Sequence, residues 1–476
     1  MNYHLSTRRI FLANSVAAGA GATVLSAYLT GARADEKPKR PPSQRLNLAC
    51  IGVGGRAPRV IDSLCKDGFA EPVAFVDVDF EARPNTAGVL ATWPKAKRFN
   101  DFRIMLDKMH RDIDAVVVVT PDHTHFTAAI AAMALRKPVY VEKPLTRTFE
   151  ESEILMRAEK KFGVVTQMGN QGHTGEGFDT FCAMVDQGLC DNVTRMEAWK
   201  TPSLWFMDKT KRPGLPLKES ELPKSLSSWD LWCGPRKLLP FNTLYHPFNW
   251  RGFYEYGMGM LGDWGAHIID YPHDKLQMGL PTKISALRMD DHNQIYFPLS
   301  SHLSMHFPAR GENRPAIDMV WKDGADCRPE IPARFFTTGD NGQLLKPRAK
   351  GAGSLLYGED DEFAILRGNH GDAPYLIGNS SQSEFEERLK KEPLPRGGKD
   401  HFTSFVSACM GEGKTNSPFS VGAKLTQVMA LGTIAQYLNT ELTFAPESKQ
   451  FVGNDEANVL LSPPARKEWE EFYRLA

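Results

Sequence analysis

This sequence lacks three features: closely spaced cysteine pairs, an excess of charge of either sign, and a long hydrophobic run after the N-terminus. The seven cysteines, at positions 50, 65, 182, 190, 233, 327 and 409, show no CxxC spacing. This argues against a zinc site or a disulfide framework and favours buried free thiols. Lys+Arg and Asp+Glu both number 57, so no general basic field attracts nucleic acid. No later run approaches the roughly 18 apolar residues that a membrane-spanning helix needs.

The N-terminal residues predict an export signal. Arg8 and Arg9 precede a mildly apolar Ala- and Gly-rich run that ends at Ala32-Arg33-Ala34, a small-x-small cleavage site. The arginine pair predicts a twin-arginine (Tat) signal peptide over residues 1–34, with the Tat machinery as partner and a periplasmic or otherwise exported product. The alternative is a chance Arg-Arg before an ordinary Sec signal or membrane anchor. Residues 35–44 are charged and Pro-rich, which indicates a linker.

The first glycine-rich stretch predicts a dinucleotide-binding turn. The apolar strand 46–51 leads into Gly52-x-Gly54-x-x-Ala57, and a helical pattern follows. Gly52 allows the tight turn, Gly54 lets the backbone approach a pyrophosphate, and Ala57 permits close helix packing. Glycine-rich turns are common, so the motif depends on its context.

An acid expected on the cofactor's ribose supplies part of that context. Asp77 lies near the end of the second predicted strand, and Asp79 is the nearby alternative. A carboxylate there accepts hydrogen bonds from both ribose hydroxyls and repels a 2′-phosphate, which favours NAD over NADP. Arg83 leaves NADP open, because an arginine can bind that phosphate.

Strands and helices alternate from residue 45 to residue 167, which predicts a parallel, doubly wound Rossmann domain. In such α/β sheets the ligands bind at the carboxyl ends of the strands. The polar or rigid residues at those ends are Thr120, Pro121, Glu142, Lys143 and Pro144.

Residues 168–476 have a different texture and predict an α+β domain with a largely antiparallel sheet. Strands are expected at 282–289 and 303–307, and two late helices at 400–410 and 421–439. The stretches 354–369 and 383–400 are expected to contain long polar connections. Seven aromatic residues of this domain either stack on sugar rings or pack in a core: Trp205, Trp229, Trp232, Tyr245, Trp250, Tyr254 and Tyr256.

A second informative stretch is "GDWGAHIID". Asp263 and His267 are four residues apart and would share one face of a helix, with Asp270 near that face. A histidine beside a carboxylate suits general acid/base catalysis. The alternative is a helix-capping Asp263 and a packed His267.

Taken in order, "CIGVGGRA", "TPDHTH", "VEKPLT" and "GDWGAHIID" resemble the glucose–fructose oxidoreductase / inositol dehydrogenase (Gfo/Idh/MocA) family. The resemblance implies an NAD(P)-dependent oxidoreductase that acts on a sugar, glycoside or polyol hydroxyl, and a homo-oligomer. Under it, Lys143 reaches the reacting hydroxyl, His267 takes its proton, and Asp263 holds substrate or His267. Glu142 orients Lys143 or the cofactor, and Pro144 fixes the turn.

The resemblance also assigns the remaining site residues. Those expected on the cofactor are Gly52, Gly54, Gly55, Arg56, Asp77, Thr120, Pro121, His125, Glu142, Lys143 and Pro144. Those expected on the substrate are Lys143, Asn170, His173, Asp263 and His267. Structural hydrogen bonding is the alternative for His125 and His173.

The sequence is compatible with three functions. The first is an exported oxidoreductase that retains its cofactor, because no obvious NAD pool exists outside the cytoplasm. The second is a glycoside lyase, epimerase or hydrolase that oxidises its sugar transiently. The third is a non-catalytic sugar-binding protein, against which Lys143 and His267 argue.

Overall fold

A computed structural model describes residues 44–205, 212–311, 314–338, 341–361, 363–377 and 399–476, together with residues 385, 387, 390 and 391. The predicted signal peptide, the linker up to residue 43 and most of the predicted connection 383–400 lie outside the described residues. None of the helices in the described ranges has the length and apolar character needed to cross a bilayer.

Six parallel strands form the first sheet, in the order β3-β2-β1-β4-β5-β6. The strands are β1 (Leu46–Ile51), β2 (Ala70–Val76), β3 (Lys97–Phe99), β4 (Ala115–Val118), β5 (Val139–Val141) and β6 (Thr166–Met168). The helices between them are α1 (Ala57–Cys65), α2 (Thr86–Thr92), α3 (Phe102–Met109), α4 (Asp122–Ala134) and α5 (Phe149–Phe162). Strands β4 and β5 are buried on both faces because helices cover both sides of the sheet. The predicted parallel, doubly wound sheet is confirmed.

The strand order reverses beside β1. Strand β1 pairs with β2 on one side and with β4 on the other. Helices that follow these strands therefore leave the sheet on opposite faces, which opens a crevice at the carboxyl ends. The glycine-rich turn follows β1 directly, so it lies at this crevice.

A nine-stranded, largely antiparallel sheet forms the second part of the chain, as predicted. Its order is β15-β14-β13-β7-β10-β9-β8-β16-β17, and β7 and β10 are its parallel pair. The strands are β7 (Val193–Lys200), β8 (Lys283–Asp290), β9 (Ser300–Phe307), β10 (Ile317–Asp323), β13 (Ala352–Gly358), β14 (Ala364–Arg367), β15 (Tyr375–Ile377), β16 (Glu441–Ala445) and β17 (Gln450–Phe451). A separate pair consists of β11 (Thr337–Thr338) and β12 (Leu344–Leu345).

The helices of this part are mostly short. They are α6 (Glu176–Asp186), α7 (Trp229–Cys233), α8 (Ala266–Ile268), α9 (Asp270–Lys275), α10 (His401–Cys409), α11 (Phe419–Leu438) and α12 (Asp455–Leu461). A π-helical turn covers Leu261–Gly265, and 3-10 turns cover Asn249–Gly252, Ala333–Phe335, Glu359–Asp361 and Lys467–Arg474.

The stretch 354–369 contains more structure than the polar connection that its sequence predicts. Strands β13 and β14 form an antiparallel hairpin there, and every residue of both strands is buried. The acidic run between the two strands shortens to a 3-10 turn. The prediction of a long polar connection was wrong for this stretch. The acidic residues dominate its sequence, although the apolar segments on either side form two strands.

The late helices return to the first sheet. Phe405, Val406 and Cys409 of α10 share a buried cluster with Cys50 and Ala57 of the glycine-rich region. Helix α11 packs against α5 and joins the largest apolar cluster, which spans both sheets. The C-terminal segment thus packs against the dinucleotide-binding domain, with α10 on α1 and α11 on α5.

Candidate active site

The glycine-rich turn after β1 is packed too closely for a side chain. A Cβ at Gly52, where φ is +83°, would lie 2.4 Å from the Val119 carbonyl oxygen. A Cβ at Gly54 would lie 2.9 Å from the Arg83 side chain. Asn85 fixes the turn from the other side, since its Oδ1 accepts from Gly55 N at 3.0 Å and its Nδ2 donates to Gly55 O at 2.8 Å. The turn therefore requires glycine at these positions, and it lies at the N-terminus of a nine-residue helix that favours phosphate.

Asp77 lies at the end of β2 and faces the same crevice. Its Oδ2 accepts from Val53 N at 2.9 Å, and its Oδ1 accepts from Asp79 N at 3.0 Å. Burial raises the pKa of Asp77, and the two backbone donors oppose that effect. Each carboxylate oxygen retains a lone pair. The carboxylate can therefore accept hydrogen bonds from ribose hydroxyls, and its assignment to the ribose stays a prediction.

The alternative acid, Asp79, is already engaged. It is 3% exposed, its Oδ2 lies 3.0 Å from His246 Nε2, and its Oδ1 accepts from Glu81 N at 3.1 Å. Arg83 lies over the ring of Phe248, with its guanidinium carbon 5.0 Å from the ring centre. This geometry favours Asp77 as the acid that meets a ribose.

A cavity of about 510 Å³ extends from the glycine-rich turn to the second part of the chain. The sequence-predicted residues among its lining are Gly52, Gly54, Gly55, Arg56, Asp77, Thr120, Pro121, Glu142, Lys143, Asp263 and His267. Its opposite wall includes Trp205, His246, Trp250 and Arg251, which come from the long segment after β7. The volume, the glycine cradle and the helix N-terminus suit a dinucleotide with a small second ligand beside it.

Lys143 and Asp263 meet in this cavity although 120 residues separate them. The Lys143 ammonium donates to Asp263 Oδ1 at 2.6 Å and to the Asp263 carbonyl at 2.8 Å. Their side chains are only 13% and 9% exposed. Arg251 adds a second cation, with Nη1 3.3 Å from Asp263 Oδ1 and Nη2 3.1 Å from Asp122 Oδ1. Burial raises the pKa of Asp263, but the charges of Lys143 and Arg251 outweigh it, so the pKa is lowered and the carboxylate stays ionised.

His267 lines the cavity just after the π-helical turn that carries Asp263. Its Nδ1 is buried and has no hydrogen-bond partner among the residues that the structure describes. Burial, then the charges of Lys143 and His370, lower the pKa of His267 well below its usual value. The ring is therefore neutral at neutral pH and can accept a proton. Asp263 bonds Lys143 and Arg251 rather than His267, so it orients the lysine.

Glu142 lies between the catalytic candidates and the glycine-rich turn. Its Oε1 accepts from the Tyr140 hydroxyl at 3.3 Å and from Gln171 Nε2 at 3.2 Å, and it lies 3.6 Å from Arg56 Nε. The contact with Arg56 links the end of β5 to the glycine-rich turn. Glu142 makes no hydrogen bond to Lys143 among the described residues.

His125 and Pro144 lie behind the cavity wall. The ring nitrogens of His125 lie 2.9 Å from the Pro144 carbonyl and 2.8 Å from the Thr120 carbonyl. His125 is fully buried, and the Lys143–Pro144 peptide bond is cis. In this position His125 ties the end of β4 to the turn that carries Lys143.

Asn170 and His173 form a separate buried cluster with Asp270. Asp270 Oδ1 accepts from Asn170 Nδ2 at 2.6 Å and lies 2.9 Å from His173 Nδ1. Asp274 Oδ2 lies 3.6 Å from the other nitrogen of His173. None of these four residues lines the cavity. Asp270 thus holds the loop after β6 instead of facing the site beside His267.

This cluster makes stability depend on pH. Burial alone would lower the pKa of His173, but the charges and hydrogen bonds of Asp270 and Asp274 raise it to about 9. A raised folded-state pKa stabilises the protein fully below the unfolded value of about 6.5, and that contribution disappears as the pH rises through about 9. We expect His173→Gln to lower the thermal midpoint at pH 6 and to have a smaller effect at pH 9.5. An equal loss at both pH values would exclude the charged cluster.

Most of the aromatic residues of the long segment pack in one cluster, line the cavity, or do both. Trp229, Trp232, Tyr245 and Tyr256 belong to one packed cluster, in which the rings of Trp229 and Trp232 stack at 4.5 Å. Tyr254 is also buried and packs on Phe297. Trp205, Trp232 and Trp250 line the cavity, and so does Trp264, which is not among the residues predicted from the sequence.

The sequence also did not predict several other residues of the site. Arg251 and Gln171 lie within stretches that were noticed for their neighbours, and both line the cavity. His370 also lines it and comes from the turn after β14. No local pattern marks His370, because the rings that it contacts, those of Trp264 and His267, are distant in sequence.

Family profiles match both parts of the chain. The Gfo/Idh/MocA profile, described as an oxidoreductase family with an NAD-binding Rossmann fold, matches residues 46–170. The profile of the family's C-terminal alpha/beta domain matches residues 346–471. Together they cover more than half of the 476 residues. The chain belongs to the Gfo/Idh/MocA family. Its first domain is therefore an NAD-binding Rossmann domain.

Curated relatives within this family match to different extents. The chain is 46% identical to the scyllo-inositol 2-dehydrogenase (NAD(+)) of Bacillus subtilis over 108 residues, which are 22% of this chain and 28% of that protein. Alignments to two other inositol 2-dehydrogenases, from Mycolicibacterium vanbaalenii and Acidothermus cellulolyticus, likewise span only about a quarter of those proteins. A longer match is 28% identical over 354 residues to the uncharacterized oxidoreductase YdgJ of Escherichia coli, covering 72% of this chain and 84% of that one.

Solved structures share the whole fold of this family member. The WlbA dehydrogenase of Bordetella pertussis, in complex with NADH and UDP-GlcNAcA, superimposes with a TM-score of 0.57 at 14% identity. The superposition covers 84% of this chain and 98% of that one. At this identity the similarity shows the fold alone.

Proposed function

We propose that this protein is an NAD-dependent oxidoreductase that acts on a hydroxyl group of a sugar, glycoside or polyol. The observation that carries the proposal is the meeting of Lys143, Asp263 and His267 in the cavity beside the glycine-rich turn. The ammonium lies 2.6 Å from a charged, buried carboxylate, and a neutral imidazole with an unpaired nitrogen lines the same space. A non-catalytic sugar-binding protein has no use for this arrangement.

The chain's own residues would carry the proton and charge of the reaction. NAD⁺, when bound, accepts a hydride from the carbon that bears the reacting hydroxyl. The His267 imidazole takes the hydroxyl proton, and Lys143 donates a hydrogen bond to the oxygen as it gains negative charge. Asp263 holds the lysine in place, and Arg251 pairs with Asp263. The glycine-rich turn and Asp77 bind the nucleotide.

A small carbohydrate or polyol fits the remaining part of the cavity. Trp205, Trp250 and Trp264 offer aromatic surface there, and Arg251 lies over the Trp250 ring at 4.4 Å. The names of the relatives agree with this substrate class, since they include inositol dehydrogenases and a dehydrogenase solved with a UDP-sugar. A homo-oligomer is part of the same proposal.

Export belongs to the proposal as well, on the basis of Arg8, Arg9 and the small-x-small site at residues 32–34. We expect the double substitution Arg8→Lys with Arg9→Lys to leave the protein in the cytoplasm, because the Tat receptor reads the arginine pair. Cell fractionation measures the outcome. Unchanged export of the double variant would mean that the signal is of another type.

An exported enzyme would have to retain its nucleotide and end each cycle with it in its starting redox state. A second sugar can be reduced in the same site, or the same sugar can be reduced again after elimination or epimerisation. The cavity wall supports retention of the nucleotide. His246 pairs with Asp79, and the crevice is also lined by Trp205, Phe248 and Trp250.

The test is turnover by the purified protein without added nucleotide, of glycosides alone and of polyols together with a second sugar that accepts the hydride. Denaturing a separate sample and identifying the released nucleotide gives the amount bound. Turnover at many cycles per bound NAD is the expected result. Strict dependence on added NAD, with NADH released in stoichiometric amounts, would leave an ordinary dehydrogenase and rule out recycling.

A further inference from the structure

The site holds a second imidazole that oxidation of a hydroxyl does not need. The ring of His370 lies 4.0 Å from the ring of His267, centroid to centroid, and both line the cavity. Trp264 flanks the two rings at 5.3 and 6.1 Å. The ring nitrogens of His370 make no hydrogen bond to any residue in the described part of the chain, so they remain open to a ligand.

A buried arginine fixes the two histidines relative to each other. Arg367 Nη2 donates to the His267 carbonyl at 2.6 Å and to the His370 carbonyl at 2.8 Å, and Nη1 donates to the Ile268 carbonyl at 2.5 Å. Its guanidinium is fully buried over the ring of Tyr271. One rigid fork thus joins the turn after β14 to the helix that carries His267.

The turn that carries His370 is also packed from the other side. Asp372 closes it through hydrogen bonds to the backbone of Asn369. A Cβ at Gly177 of α6 would lie 2.2 Å from the Gly371 carbonyl oxygen. This close packing holds the backbone of the turn that carries His370.

Both rings are unprotonated, so each has a nitrogen lone pair. Burial lowers the pKa of His370, as do the positive charges of Lys143, Arg56 and Arg367, while Asp372 opposes them. Two neutral imidazoles can therefore face one ligand at neutral pH. A single hydroxyl proton requires only one of them.

We propose that His370 takes a proton from the carbon next to the oxidised carbon of the sugar, so that the site carries out carbon–hydrogen chemistry after oxidation. This inference rests on the proposed function. The C–H bond breaks, its proton goes to an imidazole nitrogen of His370, and its electron pair moves into an enolate whose oxygen Lys143 stabilises. The electron pair then expels a neighbouring leaving group with its bonding electrons, or the carbon regains a proton on either face. The product class is an eliminated or epimerised sugar.

The test starts from the ketone, so that it does not depend on oxidation. Methyl 3-ketoglucopyranoside and 2-keto-myo-inositol are each incubated in D₂O with the purified protein and its own bound nucleotide. NMR follows deuterium entering the carbon next to the carbonyl. We expect the wild type to exchange at least one ketone faster than buffer, and His370→Asn to slow this exchange by roughly 10² to 10⁴.

His306→Asn is the matched control. His306 lies on the outer face of β9, is 42% exposed and pairs with Asp318. This variant should exchange as the wild type does. In His370→Ala, added imidazole should restore part of the exchange, which a purely structural role would not allow. Nucleotide content checks that each variant is folded.

Three results would contradict the role of His370 as the base. Exchange at the wild-type rate in His370→Asn would overturn it, as would the absence of exchange in the wild type with both ketones, or a His370→Ala defect that imidazole does not rescue. The proposed oxidation fails on a different observation, the absence of turnover with any alcohol.

Discussion

Lys143→Ala should lose turnover by roughly 10² to 10⁴ while the protein keeps its nucleotide. The ammonium is the cation placed between Asp263 and the cavity, so its removal leaves the developing oxygen charge without a donor. Arg251 remains 3.3 Å from Asp263 and keeps that carboxylate paired, so the fold should survive. The measurements are the turnover rate and the nucleotide released on denaturation.

The matched control is Lys283→Ala. Lys283 is 52% exposed and pairs with Glu441 at the rim of the second sheet, so its removal should change neither quantity. Wild-type turnover in Lys143→Ala would remove this residue from the mechanism. Loss of both turnover and nucleotide would mean instead that Lys143 supports cofactor binding.

Local sequence patterns were sufficient where each function lies in one continuous stretch. The turn at Gly52 follows a strand and precedes a helix, so its sequence contains its whole structural context. Lys143 follows a buried strand in the same way. The alternation of strands and helices predicted the parallel sheet for the same reason. Each strand–helix–strand unit is complete within about 30 residues.

Contacts between distant segments could not be read from those patterns. Arg251 reaches Asp122 across 129 residues, and Arg367 reaches the His267 carbonyl across 100. A single arginine or histidine in a loop carries no periodicity, so nothing local distinguishes His370 from a surface residue. The spacing of Asp263 and His267 suggested a direct pair, whereas the carboxylate bonds a lysine from the other domain.

Packing partners were hidden for a similar reason. The apolar positions of 400–410 predict a helix with one buried face, but they do not say what that face contacts. In the structure Phe405, Val406 and Cys409 cover Cys50 and Ala57, so the late helix α10 completes the core under the glycine-rich turn. Substitutions that disrupt α10 should therefore also weaken nucleotide binding.

Gly52→Ala should abolish nucleotide retention and destabilise the protein by several kcal/mol. The added Cβ would lie 2.4 Å from the Val119 oxygen and 2.7 Å from the Val119 carbon. Both atoms belong to the backbone at the end of β4, so no side-chain rotation relieves the contact. The two strands at which the sheet order reverses must separate, and the turn that meets the pyrophosphate moves with them.

Gly68→Ala separates this clash from the backbone strain. Gly68 has φ of +72°, close to the +83° of Gly52, but a Cβ there meets nothing within 4 Å. Both variants place alanine in the left-handed region, which costs about 1–2 kcal/mol. Gly68 precedes β2 at the opposite end of the sheet from the cavity, so Gly68→Ala should keep its nucleotide and show only the smaller loss in thermal stability. If the two variants lose stability equally and both keep nucleotide, the close approach of Gly52 to Val119 has no part in cofactor binding.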